Sequence, residues 1–187
     1  MIDIENNVIN NTSKEAEAHL AVGHAVAAMQ LGVPFRHIDA NDDGWEACIG
    51  FIEPDEDDED GLCTGAQRYE IELEVISYMV GATAECRFKK LPEPTSEEVD
   101  ISEYIFDKLD AVCGSETEMT AYLNLALIRA CSVVDSPGFD EIVGKAVALL
   151  LIQDALSANE LEKIFVVWDE AHPELVTPEP IDPMEIN

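Results

Sequence analysis

A chain of 187 residues, 47% of them hydrophobic, is long enough to bury a core in one domain and too apolar to carry the signature of disorder. Forty Asp and Glu against ten Lys and Arg give a formal net charge of −30, spread along the chain rather than gathered in a tail. Such a field repels nucleic-acid phosphates and anionic membrane surfaces; it suits a highly soluble cytoplasmic protein, or one that offers carboxylates to a basic partner in place of phosphates.

The opening stretch MIDIENNVIN has neither a basic region nor a long apolar run, so no signal peptide is expected, and residues 1–11 read as an N-terminal extension. Thr12-x-x-Glu15 then has the form of a capping box. Leu20, His24, Ala27 and Leu31 recur at helical spacing, and Gly32 with Pro34 ends the first helix. Phe35 to Ala40 is a candidate strand and NDDG at 41–44 a turn. Trp45, Ala47, Ile49 and Phe51 alternate with Glu46, Cys48 and Gly50, as a half-buried strand requires. A small antiparallel hairpin is therefore expected after the first helix.

EPDEDDED at 53–60 reads as a solvated acidic loop. The stretch from Glu56 has Gly61 in the sixth position of a calcium loop, but Gln67 stands where the bidentate Glu belongs, so no EF-hand is expected. Thr64-x-x-Gln67 opens a second helix with Tyr69, Leu73, Ile76, Val80 and Ala84 on one face. KKLPEPT at 89–95 links it to a third, which Thr95-x-x-Glu98 precedes and which carries Ile101, Ile105, Leu109 and Val112. Ser115-x-x-Glu118 opens a fourth helix that runs to about Val134. Ser136-Pro137 has the form of an N-cap and first helical residue for a fifth, reaching about Leu156. Ser157-x-x-Glu160 caps a sixth that runs to about Glu170.

The expected fold is mainly α: a compact bundle of about six helices with a small antiparallel β-hairpin after the first. A single domain covers residues 12–170, and a Pro-rich acidic tail covers 171–187. No internal repeat is present, and apolar runs such as AVALLLI at 146–152 are far too short to span a bilayer. GFDEIVGKA at 138–146 is not a phosphate loop, because Ala146 stands where a hydroxyl would hold magnesium and the glycines are too far apart. Cys48, Cys63, Cys86, Cys113 and Cys131 include no Cys-x-x-Cys pair and read as buried thiols of a reducing compartment.

Chemistry concentrates in the first helix. A His-Glu-x-x-His segment sets two imidazoles on one helix face around a zinc ion, with the glutamate as general base. Here Gly23-His24-Ala25-Val26 is present, but Leu20 stands four residues before His24 and Ala21 follows it. His19 does not replace the missing ligand, since five residues turn it about 140° away from His24 around the axis.

On these residues the chain resembles the peptidase domain of FtsH-type ATP-dependent zinc metalloproteases, whose pattern His-Glu-Ala-Gly-His-Ala-Val runs parallel to Leu20–Val26. Gly81, Ala84 and Glu85 are similar to that family's Leu-x-Gly-Arg-Ala-Ala-Glu segment, and AVALLLIQDALSANELEKI to the closing pattern of its stand-alone members. The resemblance spans roughly residues 14 to 168 and implies a compact helical fold with a small hairpin. It implies Asp100 as the third metal ligand beside His24, with Leu20 at the place of the first His and Ala21 at that of the catalytic Glu. Two ligands are too few for a three-ligand catalytic zinc, and the missing base alone costs ~10²–10⁴ in rate.

The expectation is therefore a catalytically inactive, protease-like domain that acts through protein binding and needs no cofactor. Its expected partner is a protein or peptide, basic ones included, rather than nucleic acid or a membrane. Two alternatives stand beside it. One is a residual zinc peptidase using His24, Asp100 and a further group such as His19, His37 or Glu85. The other is an acidic decoy or inhibitor of a basic nucleic-acid-binding protein.

Overall fold

The computed structural model describes residues 4–41, 44–50, 65–95, 99 and 103–175. Among them, six helices and three strands follow in the order α1 (Ile4–Leu31), β1 (Phe35–Asn41), β2 (Gly44–Ile49), α2 (Gly65–Phe88), α3 (Glu103–Val112), α4 (Glu116–Val134), α5 (Phe139–Gln153), β3 (Ala155–Ser157) and α6 (Ala158–Ala171). The molecule is thus mainly helical with a small antiparallel sheet after the first helix, as the periodicities predict. No helix among the described residues is long and apolar enough to cross a membrane.

The axis of the fold is α1. Ala16, Ala18, Ala21, Val22, Ala25, Val26, Ala27 and Ala28 are all buried, so the helix is covered on nearly every side rather than along one stripe. It packs against α2, α5, β1 and β2. Alanine serves here because it lets neighbours approach closely while burying no polar group. At the crossing with α2 even alanine is too large: a Cβ on Gly23 would lie 2.9 Å from both the Ala84 Cβ and the Gly81 Cα. The helix begins at Ile4, so Thr12 lies inside α1 and not at its cap, and the expected boundary at residues 11/12 falls within a continuous helix.

The sheet has the order β2-β1-β3, and both pairings are antiparallel. Ile38 faces Ala47 on one side and Leu156 on the other, and Ile38 and Leu156 are fully buried beneath α1 and α5. The opposite face carries His37, Asp39, Glu46, Cys48 and Ser157. β3 is the one strand the sequence pattern does not announce. The fifth helix was expected to run to Leu156, but it stops at Gln153. Asp154 takes a left-handed conformation (φ 56°), and three residues then complete the sheet. Three residues are too few for an alternation to register.

Helix ends separate the capping boxes that act from those that do not. Ser115 accepts a hydrogen bond from the Glu118 N–H at 3.2 Å, and Ser157 and Glu160 form the complete reciprocal box at the start of α6. α5 departs from expectation: its N-cap is Gly138 at φ 83°, with no side-chain cap, so Ser136 and Pro137 belong to the preceding turn. Gly138 is required there because a Cβ would run into the indole of Trp168, which seals α6 onto α5 and donates its N–H to Glu141 Oε2 at 3.2 Å. α3 begins at Glu103, eight positions past Thr95, so Thr95 does not cap it. Phe51, the acidic run 53–60, Cys63, Thr64, Glu98 and the tail from 176 lie outside the described residues.

Charged side chains fasten the helices where apolar contact ends. Arg87, in the last turn of α2, donates to the Val134 carbonyl at 3.0 Å and pairs with Asp135 and Asp140, joining α2, the end of α4 and the start of α5. Glu74, 1% exposed, meets the Lys108 ammonium at 2.6 Å and ties α3 to α2. Arg129 pairs with Glu72 between α4 and α2.

Candidate functional site

A cleft of about 910 Å³ opens where α1, α2 and the hairpin meet. Its size is that of a ligand site rather than of a packing defect. Leu20 and His24 reach it from α1, Val75, Tyr78, Met79 and Glu85 from α2, and Ile105 from α3. Every residue from Trp45 to Ile49 lines it as well. Because successive strand residues point to opposite faces, that continuous run means the strand's edge forms the wall. β2 is an outer strand of the sheet, with β1 its single strand neighbour among the described residues.

The one-turn spacing of Leu20 and His24 does bring both side chains to this cleft. His19 goes elsewhere, as its angular position demands: its ring stacks on Phe88 with centroids 4.1 Å apart, and its Nδ1 lies 2.9 Å from the Glu15 carbonyl. Ala21 is buried in the core at 1% exposure and is not part of the cleft wall. Only Leu20, then, makes the wall apolar at the positions where the resemblance implies His and Glu. Asp100 lies outside the described residues.

His24 is half-buried, with its ring held against α2. Its Nε2 is 3.1 Å from the Tyr78 carbonyl, and the ring lies tilted against the Tyr78 ring at 4.9 Å. A carbonyl only accepts, so Nε2 carries the proton and donates it. Burial of the ring outweighs that bond and pushes the imidazole down from 6.5 to about 4, so it is neutral at pH 7. Gly81 explains how the ring fits: a Cβ at that position would overlap His24 Cδ2 and Nε2. The two glycines that carry the resemblance therefore have a steric role, in which Gly23 lets the helices touch and Gly81 makes room for the histidine.

Leu20 is aliphatic and cannot ligate a metal, and the Nε2–H of His24 is engaged by the Tyr78 carbonyl, which leaves Nδ1 as the ring nitrogen with a lone pair. Among the described residues, no three His, Cys, Asp or Glu side chains are grouped to hold a metal. His37 and Glu85 do line the cleft with His24, but each has its own partner. His37 Nε2 lies 3.2 Å from Asp39 Oδ2, and Glu85 meets the Lys89 ammonium one turn away.

Cys48 and Cys86 also line the cleft. With Cys113 and Cys131 they carry thiols rather than disulfides, and burial pushes the thiols of the last two above their ordinary range. Raised thiols are poor nucleophiles near neutral pH.

The sequence gives no sign of the role of Trp45. Its side chain is 8% exposed, a Lys14 ammonium sits 4.8 Å from its ring centre, and its buried indole N–H finds no acceptor among the described residues. An unsatisfied buried donor costs about 1–3 kcal/mol. No family model and no curated protein sequence matches this chain.

Proposed function

We propose that the chain is a metalloprotease-like domain that has lost peptide hydrolysis and acts by holding a segment of a partner protein in the cleft between α1, α2 and β2. The observation that carries this reading is the pair Leu20 and His24 on the cleft wall: one side chain cannot ligate, and the other has its Nε2 proton committed to the Tyr78 carbonyl. The edge of β2 supports an extended occupant, because an outer strand can extend its ladder to a bound peptide while pockets beside it read the side chains. Leu20, Ala47, Ile49 and Tyr78, all part-exposed, supply the apolar surface such a segment would cover.

The test is elemental analysis of the purified protein together with a casein-cleavage assay. The expected result is no stoichiometric zinc and no turnover above buffer, before or after incubation with zinc. Stoichiometric zinc accompanied by cleavage that His24→Ala abolishes would overturn the reading and establish a surviving peptidase.

A further inference from the structure

His24 brings to the cleft an acceptor that no described residue occupies. Its Nε2–H goes to the Tyr78 carbonyl, so in the neutral ring the lone pair lies on Nδ1. His19 and His172 use that same atom within their own helices. Their Nδ1 atoms lie 2.9 Å from the Glu15 carbonyl and 3.0 Å from the Trp168 carbonyl, each four residues back. Nδ1 of His24 makes no such contact with any described residue. Nor is the atom sealed away. The Cδ2–Nε2 edge of the ring faces α2, where Gly81 makes room for it, and this leaves the Nδ1–Cε1 edge turned from that helix. The buried polar side-chain atoms left without a partner among the described residues are Trp45 Nε1 and Ser136 Oγ, not Nδ1. Unpartnered and not buried, Nδ1 opens onto the space that His24 lines, which is the cleft.

The edge of β2 determines what kind of donor would arrive. A segment paired with that edge hides one side of its main chain in the ladder and turns the other toward α1 and α2. The N–H groups on that second side lose water and need an acceptor. Leu20, one turn before His24 on the same wall, offers none. We infer that Nδ1 of His24 is a specificity determinant of the cleft, accepting a backbone N–H from an extended segment that adds to β2. The inference rests on the reading of the cleft as a peptide site and names the contact by which its helical wall reads the occupant's main chain. A residue without an N–H, such as proline, is excluded at that one position.

The test uses the full chain on an array of random twelve-residue peptides. A Leu20→Glu variant, which puts a charge on the apolar wall, reports whether binding uses the cleft. One peptide that this variant fails to bind is then remade with a single N-methyl group at each backbone nitrogen in turn. Two further variants separate the two nitrogens of His24. His24→Gln can still donate to the Tyr78 carbonyl but has no acceptor at the place of Nδ1. His24→Asn sets its amide oxygen near that place but does not reach Tyr78. Melting curves confirm that each variant is folded.

In the parent, N-methylation at the position facing α1 should weaken binding about tenfold, the order expected when a buried acceptor loses its donor. His24→Gln should bind the unmethylated peptide about tenfold more weakly and be indifferent to methylation at that position. His24→Asn should bind more tightly than His24→Gln. A purely structural histidine gives the opposite order, because Gln alone keeps the Tyr78 bond. That opposite order, or methylation effects equal in the parent and in His24→Gln, would overturn the inference and leave the peptide site standing. Absence of any binding sensitive to Leu20→Glu would overturn both.

Discussion

Replacing Gly81 by alanine drives a methyl group into the space that the His24 imidazole fills, and leaves it 2.6 Å from the Leu20 carbonyl oxygen. Neither neighbour yields easily. The carbonyl belongs to the backbone of α1, and the ring is held between Tyr78 and the crossing of the two helices. Overpacking of this kind costs about 1–3 kcal/mol. Loss of the His24–Tyr78 hydrogen bond adds about 0.5–1.5 kcal/mol. Alanine's better helix propensity returns up to about 1 kcal/mol. The net is a destabilisation of about 0.5–4.5 kcal/mol, which lowers the melting temperature of a domain this size by roughly 1–18 °C. Thermal unfolding followed by circular dichroism measures it, and a double-mutant cycle locates the cause. His24→Ala removes the ring that the new methyl strikes, so Gly81→Ala should cost clearly less in that background than in the parent. If Gly81→Ala melts with or above the parent, or costs the same whether or not His24 is present, the interlocking of these two residues is wrong.

Gly138→Ala should destabilise by about 2–4 kcal/mol, because φ 83° disfavours a side chain and the new Cβ meets the Trp168 indole. Urea unfolding gives the magnitude, and an altered tryptophan emission at zero urea shows the ring displaced. The imidazole of His24 titrates near 6.5 when unfolded and near 4 when folded, so between those values the unfolded state holds the extra proton. Stability from this residue is therefore complete above pH 6.5 and falls as pH drops toward 4, by at most about 3 kcal/mol. His24→Gln, which keeps a donor for Tyr78, should remove that part of the slope in paired pH–stability curves, and unchanged curves would refute the assignment. Lys108→Ala takes the ammonium away from the buried Glu74 carboxylate and should cost about 3 kcal/mol, whereas replacing both residues by leucine should cost far less; equal losses in the two variants would contradict a buried ion pair.

Much of the architecture could be read from periodicity, because helices of this length repeat their apolar face several times and announce their starts chemically. Ser115 and Ser157 are such starts, and the alternation from Trp45 to Ile49 marks β2. The failures share one cause, namely that tertiary contacts chose the local conformation. Gly138 rather than Ser136 opens α5 because Trp168 occupies the space beside it, and β3 forms from residues that helical spacing alone would continue into α5. At the site, the shared face of Leu20 and His24 and the divergence of His19 follow from helix geometry and were legible. The burial of Ala21 and the enclosure of His24 by Gly81 and Tyr78 depend on what packs against the helix, as does the Trp45 indole N–H, which has no acceptor among the described residues. No pattern in the first helix encodes them.

The central strand has its two neighbours at opposite ends of the folded chain. β2 follows it at once, but β3 reaches it only through residues 155–157. During synthesis the hairpin must therefore wait, one flank bare, until almost all of the domain has left the ribosome. Such late closure slows folding and leaves a nascent edge open to mispairing. A chain ended before Ala155 would expose that flank permanently, so β3 acts as a stopper for the sheet as well as the link between α5 and α6.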